Sequence, residues 1–256
     1  MGRIHLFEFE DQEWFPKSLR NYGTDFLQFL SNKTKLYKPI IPVLEKTLKQ
    51  TKTNKIIDLA SGGGGGLIWL NSELKKTIPD LEITLTDFFP NISAFEYTKK
   101  SSNNFNYIET PIDVKNVPNH LKGLRTQFLS FHHFKPDDAK KILQNAIDSN
   151  SSIAIFEAQE RSFPSIIAML FSPISVLLTT PFIKPFKLGR ILFTYIIPIV
   201  PLFVLWDGVV SSLRTYSVKE MNALVDSLHN KDKLKWSISK IKSGPGVILY
   251  LTGTLK

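Results

Sequence analysis

Ile56-Ile57-Asp58-Leu59-Ala60-Ser61-Gly62-Gly63-Gly64-Gly65-Gly66 joins an apolar, β-branched run to five consecutive glycines. The run from Lys55 to Ala60 reads as a strand, the glycines as a turn, and Leu67 to Thr77 as the helix that follows. Glycines at a strand-to-helix turn let the backbone approach a ligand, and the helix N-terminus offers unpaired N–H groups. Working outward, further strands are expected at Glu82–Asp87, Phe105–Thr110, Thr126–Phe131 and Ser152–Ala158, with helices at Ile92–Lys100 and Asp137–Ser149 between them. This alternation is the pattern of a mostly parallel sheet covered by helices. Two last runs, Lys235–Lys242 and Gly246–Leu255, flank the turn Ser243-Gly244-Pro245-Gly246 and should form an antiparallel hairpin. The expected fold is α/β, with a seven-stranded sheet over 55–256. An aromatic-rich helical cap over 1–54 precedes it, and an apolar helical insert over 162–206 interrupts it, followed by a helix at Ser217–Leu228.

Composition narrows the function. The chain has 256 residues, 43% hydrophobic and 21% charged, enough apolar content for a packed core and too much for a disordered or collagen-like chain. The absence of Cys excludes disulfides, a thiolate nucleophile and cysteine metal sites, and suits a reducing cytosol. A net charge of +9 favours an anionic partner: nucleic acid, an anionic membrane face or an acidic small molecule. Arg3, Glu8, Glu10, Asp11 and Glu13 leave no signal-peptide core, and Leu6 spoils the myristoylation pattern begun by Met1-Gly2, so a cytoplasmic location is expected. There is no Gly-Lys-Ser/Thr and no Gly-x-Ser-x-Gly, no carboxylate pair stands out for hydrolysis, and the five histidines lack metal-ligand spacing, so no metal is expected.

Three acids fall at consecutive strand ends: Asp58, Asp87 and Asp113. They share the carboxyl edge where open α/β sheets bind ligands. Asp87 suits the two hydroxyls of a ribose and Asp113 an adenine amine, although turn capping and a solvated loop would explain each acid alone. With these residues the sequence resembles the class I S-adenosylmethionine-dependent methyltransferases. Asp58-Leu59-Ala60-Ser61-Gly62-Gly63-Gly64 is similar to that family's Asp-x-Gly-x-Gly-x-Gly motif, with Ala60 in the first glycine slot. Phe131-His132-His133-Phe134-Lys135-Pro136-Asp137-Asp138 resembles its segment after the fourth strand. The resemblance implies S-adenosylmethionine as cofactor, held by Asp58, Ala60, Gly62, Gly64, Asp87, Phe88 and Asp113, and transfer of a methyl group, O-methylation being the expected type.

Such a transfer is an in-line displacement from an activated donor, so the protein supplies alignment, dryness and, for some acceptors, a base. The resemblance to plant-type O-methyltransferases gives His132 that slot; the alternative is that His132 packs or orients its loop. Glu157, Gln159, Glu160 and Arg161 are candidate acceptor contacts, and Asp207, Arg214 and Tyr216 a candidate polar floor.

Ser162 to Trp206 contains only Lys184, Lys187 and Arg190 as charged residues, and six prolines. Runs of 22 and 16 uncharged residues flank the basic midpoint, and a spanning hairpin would place those cations on the outer side, against the usual bias. An interfacial hairpin on anionic headgroups, a lid over the acceptor, or plain core helices are the alternatives. The expected function is methylation of a hydrophobic small-molecule or lipid-like acceptor at a membrane surface. The competing ones are an RNA or DNA methyltransferase, disfavoured for want of an Asn-Pro-Pro-Tyr-like motif, and a non-catalytic cofactor-binding module that anchors a partner at the membrane.

Overall fold

The computed structural model describes residues 2–256. Seven strands form one sheet in the order β3-β2-β1-β4-β5-β7-β6. They are β1 Lys55–Asp58, β2 Glu82–Leu85, β3 Phe105–Tyr107, β4 Leu124–Phe128, β5 Ile153–Glu157, β6 Leu234–Ser243 and β7 Gly246–Leu255. The first five pair in parallel, with Asp58 level with Leu85 and Thr126, and β7 runs antiparallel to both β5 and β6. Sequence order reverses across β1 and β4, so their carboxyl ends flank a crevice.

Both faces of the sheet are covered, as its non-alternating apolar strands require. Ile57 and Ile155 pack with α5 (Pro136–Asp148) and α10 (Val218–Asp226) through Leu143, Ile147, Met221 and Val225. On the other face Ile56 and Phe156 pack with α2 (Ile41–Thr51) and α3 (Leu67–Leu74) through Leu44, Leu48 and Leu70. The helix α4 (Ile92–Ser101) adds Phe95 to that layer. Ser217 caps α10 in a reciprocal box with Glu220.

Several strands stop short of expectation, β1 at Asp58 rather than Ala60 and β2 at Leu85 rather than Asp87. β3 stops at Tyr107, three residues short of Thr110, at the sheet edge. β4 stops at Phe128 because Leu129 turns left-handed (φ 52°), and Phe131–His133 form a 3₁₀ turn. His132 and His133 are therefore on a turn of helix, not at the tip of a strand.

A third cluster lies outside the sheet layers. Phe15, Leu19, Tyr22 and Phe26, from the N-terminal segment and α1 (Lys17–Lys33), meet Val176, Ile183, Val200 and Phe203 of the insert. The insert is helical: α6 Phe163–Leu170, α7 Ser172–Thr179, α8 Leu188–Ile191 with a π-helical extension to Ile196, and α9 Ile199–Arg214. Its cations correct the picture of a basic tip. Arg190 is buried, with Nη1 donating to Asp25 Oδ2 (2.7 Å), and Lys187 Nζ donates to the same oxygen (2.8 Å). Only Lys184 of the three stands exposed.

Candidate functional site

At the carboxyl edge of β1, β2 and β4 lies a cavity of about 330 Å³. Its glycine end is formed by Ala60, Ser61, Gly62, Gly63 and Gly65, with Asp87, Phe88 and Asp113 beside them. Its other end is formed by Glu10, Asp11, Arg20, Ser130, His133 and Phe134.

The glycine loop is held by side chains on both sides. Gly62 N–H donates to Asp87 Oδ2 and Phe89 N–H to Oδ1 (both 2.7 Å), fixing the Asp87 carboxylate at the cavity wall with a lone pair free on each oxygen. Burial raises the Asp87 pKa, and the two N–H groups pull it back. Asp58 does not line the cavity: it lies beneath the loop, accepting from Ser61 Oγ and Thr126 Oγ1 (both 2.7 Å). Burial pushes Asp58 up to about 7 despite those donors. From the other side α1 clamps the loop. Gln28 Nε2 donates to the Gly63 carbonyl, Asn32 Nδ2 donates to that of Gly65 (2.7 Å), and Asn32 Oδ1 accepts from Trp69 N–H (2.8 Å). A Cβ on Gly63 would stand 2.6 Å from the Thr24 carbonyl oxygen, so glycine is what lets loop and helix touch.

Of the residues singled out in the sequence, Ala60, Gly62, Asp87, Phe88 and Asp113 line the cavity, whereas Asp58 and Gly64 support it from outside. His132 is a correction. The 3₁₀ turn carries it away from the cavity into the core, 1% exposed, with Nδ1 2.6 Å from Glu157 Oε2. Glu157 is fixed in turn by the N–H groups of Ser130 and Phe131 (3.1 and 2.7 Å). The neighbouring His133 faces the cavity instead, with Nδ1 2.7 Å from Asp11 Oδ1. Burial works to lower the His133 pKa, but Glu8 and Asp11 raise it to about 10. Burial works to raise Asp11, but His133 and Arg214 hold it well below the usual carboxylate range.

The acidic strap that brings these groups in carries no local signature. Residues 3–15 cross the cavity end and are tied to α9. Phe9 and Glu10 N–H donate to Asp207 (2.8 and 3.1 Å), Arg214 Nε donates to the Leu6 carbonyl (2.7 Å), and Arg214 Nη1 donates to Asp11 (2.6 Å). Asp207 and Arg214 thus hold the strap, Tyr216 lies under the Arg3 guanidinium and donates to the Phe134 carbonyl (2.7 Å), and none of the three lines the cavity. Burial raises both Glu10 and Asp207, each close to further carboxylates. Arg161 pairs with Glu220 and the Thr215 carbonyl and Glu160 with Lys240, and neither lines the cavity. The signal that was available lies on α1, where Arg20, Thr24, Gln28 and Asn32 recur at a spacing of four, a polar stripe aimed at the loop. No insert residue lines the cavity, so the insert is no lid.

No protein-family model matches the sequence, and no curated protein matches it. Solved structures do match the fold. The plantazolicin methyltransferase BpumL, in complex with SAH, superposes with a TM-score of 0.51 at 14% identity, over 94% of this chain and 96% of that one. An O-methyltransferase family protein from Burkholderia thailandensis gives 0.50 at 14% identity, over 87% of this chain and 57% of that one. LaPhzM gives 0.51 at 13% identity, over 89% and 57%. The chain therefore has the class I methyltransferase fold: a Rossmann-like, mostly parallel sheet closed by an antiparallel hairpin.

Proposed function

We propose that the protein is an S-adenosylmethionine-dependent methyltransferase, O-methylating a hydrophobic or lipid-like acceptor. The observation that carries this reading is the cavity itself, in which the Ala60–Gly65 backbone and the Asp87 and Asp113 carboxylates converge on one apolar-walled space. The donor set fits the cofactor: carboxylates for ribose hydroxyls and the adenine amine, Phe88 as an aromatic wall, and a volume in the range of small-molecule sites. That cofactor supplies a methyl group on a sulfonium, ready for displacement. The protein's part is to bind, align and exclude water. His133, not His132, meets the acceptor end. With Nδ1 engaged by Asp11, its other ring edge is the part placed to meet an acceptor oxygen bearing negative charge, a role closer to an oxyanion stabiliser than to a general base.

The membrane part of the reading rests on exposed apolar surface. Phe163–Phe182 forms a helical stretch of 20 residues with mean hydropathy 1.7, of which only 11% is buried, long and apolar enough by itself to cross a bilayer. Leu178, Phe182, Leu188, Ile196 and Leu202 are each more than 60% exposed, and Phe7, Trp14 and Trp206 continue the surface onto the strap. A patch of this kind on a single chain marks an interaction site. The insert's other face is packed on α1 and locked by the buried Arg190–Asp25 pair, which a transmembrane crossing would pull apart. These helices lie in the interface, presenting the acceptor from the lipid.

Calorimetry with S-adenosylmethionine tests the first part: Asp87→Ala should cost roughly 1.5–3 kcal/mol of binding, and unchanged affinity removes Asp87 from the site. Flotation with anionic liposomes tests the second. Replacing Leu178, Leu188 and Ile196 by Asn should release the protein while cofactor affinity stays. A protein that ignores liposomes in its native form sinks the membrane reading.

A further inference from the structure

We propose that Glu8, His132 and His133 form a binding site for one divalent transition-metal ion at the strap end of the cavity. Glu8 is far in sequence from the adjacent His132 and His133, yet one ligand atom of each lies within 4.8 Å of the others. The separations suit a shared cation: His132 Nε2 is 3.9 Å from Glu8 Oε1, and His133 Nδ1 is 3.4 Å from Glu8 Oε2. Two bonds of the usual metal–imidazole and metal–carboxylate lengths span up to roughly 4.2 Å.

The independent observation is that one of these atoms, His132 Nε2, is buried with no partner. With Nδ1 of His132 engaged by Glu157, Nε2 is the ring atom left facing the Glu8 carboxylate, with no protein atom bonded to it. A proton on Nε2 would not close 3.9 Å into a hydrogen bond. A cation there gives Nε2 the partner it lacks.

The surroundings are those of a metal ligand. Metal-binding histidines commonly donate the second ring nitrogen to a carboxylate, which fixes tautomer and ring plane. His132 does so to Glu157, itself anchored by two backbone N–H groups. Arg214 Nη1 stands 3.0 Å from Glu8 Oε1 but directs its hydrogen bond to Asp11. Two imidazoles and a carboxylate favour zinc or iron over magnesium or calcium. Because His133 and Asp11 line the cavity, the ion has one side toward the acceptor.

The test is Zn²⁺ binding to the full chain without S-adenosylmethionine, by calorimetry against a competing chelator, with the visible spectrum of the Co²⁺ form as a second readout. One equivalent should bind. His133→Asn, at the cavity edge where folding is safe, should weaken binding at least tenfold and alter the Co²⁺ band. Glu157→Gln should weaken it 10- to 100-fold, the usual cost of losing such a supporting carboxylate. A double His120→Asn, His229→Asn variant, removing two histidines remote from the cluster, should bind as the native chain does. Less than stoichiometric binding, no effect of His133→Asn, or loss in the double variant overturns the site. None of these readouts depends on methyl transfer.

Discussion

Two opposed faces of α1 do different work. One carries Thr24, Gln28 and Asn32 onto the glycine loop, meeting backbone with hydrogen bonds and a close helix–loop contact. The other carries Leu19, Tyr22 and Phe26 into the insert, meeting side chains with apolar burial and, at Asp25, one buried ion pair. The loop face sets positions to a fraction of an ångström, because hydrogen bonds are directional. The insert face supplies adhesion, which is not directional. A cofactor site needs the first and a surface helix hairpin only the second.

The largest effect expected from breaking this arrangement is on the insert face. Asp25→Ala strands Arg190, 1% exposed, and removes the partner of Lys187. Breaking one side of a buried pair costs about 3–5 kcal/mol. Urea unfolding should show that loss, with proteolysis beginning in 162–206 while the sheet holds. A loss below about 1 kcal/mol would mean that the insert adheres by apolar contact alone.

On the loop face, Gly63→Ala should destabilise by roughly 1–3 kcal/mol, the cost of overpacking. The added methyl meets the Thr24 carbonyl, which belongs to a helix and cannot yield. The distinguishing feature is that cofactor affinity falls too, as it should not in Asp25→Ala. If Gly63→Ala binds S-adenosylmethionine normally, the close contact of α1 and loop is not what shapes the cavity.

The two faces also differ in how far the sequence exposes them. The strand-loop-helix unit around Asp58 and Gly62 was legible because glycine and an acid at a strand end are local signals, and Asp87 and Asp113 follow from the same edge. The βα alternation gave the parallel strands, and Ser243–Gly246 the hairpin. What could not be read depends on a backbone angle or on distant pairing. Leu129 adopts φ 52° with nothing in its side chain to announce it, and that one residue sends His132 inward and His133 to the cavity. The strap is invisible for the second reason: Glu8, Glu10 and Asp11 look like a solvated acidic terminus until Arg214 and Asp207, some 200 positions on, take hold of them. In the same way Lys187 and Arg190 look like a headgroup patch until Asp25 appears beside them.

Beneath the loop, Asp58 allows a pH experiment. Its pKa rises on folding to about 7, so between roughly pH 4 and 7 the folded chain holds a proton that the unfolded chain releases. Stability from this group is greatest below that window and is lost as pH rises through it. Asp58→Asn removes the titration while keeping an amide that can pair with Ser61 and Thr126. The poorer acceptor shifts both pH values equally, so the variant should gain up to about 4 kcal/mol on the native chain in going from pH 4 to pH 8, about 1.4 kcal/mol for each unit of the raised pKa. Parallel unfolding curves at the two pH values measure it. A difference independent of pH would show that Asp58 stays ionised in its Ser61–Thr126 cage.

The smallest effect is at Ala60, where a non-glycine residue sits at φ 53°. A left-handed conformation costs an L-residue with a Cβ about 1–2 kcal/mol, which glycine escapes. Glycine gives back roughly 0.5–1 kcal/mol through the freedom it has in the unfolded chain. Ala60→Gly should therefore stabilise by a net of about 0.5–1 kcal/mol, read as a small rise in the urea midpoint at unchanged slope. Since Ala60 lines the cavity, its methyl also has a chemical reading: it narrows the glycine end by one carbon. If the methyl is only strain, cofactor affinity rises or holds as stability rises. If affinity falls while stability rises, Ala60 packs against the bound ligand, and the strain is kept for binding. The two outcomes separate a tolerated departure from the glycine pattern from one that shapes the site.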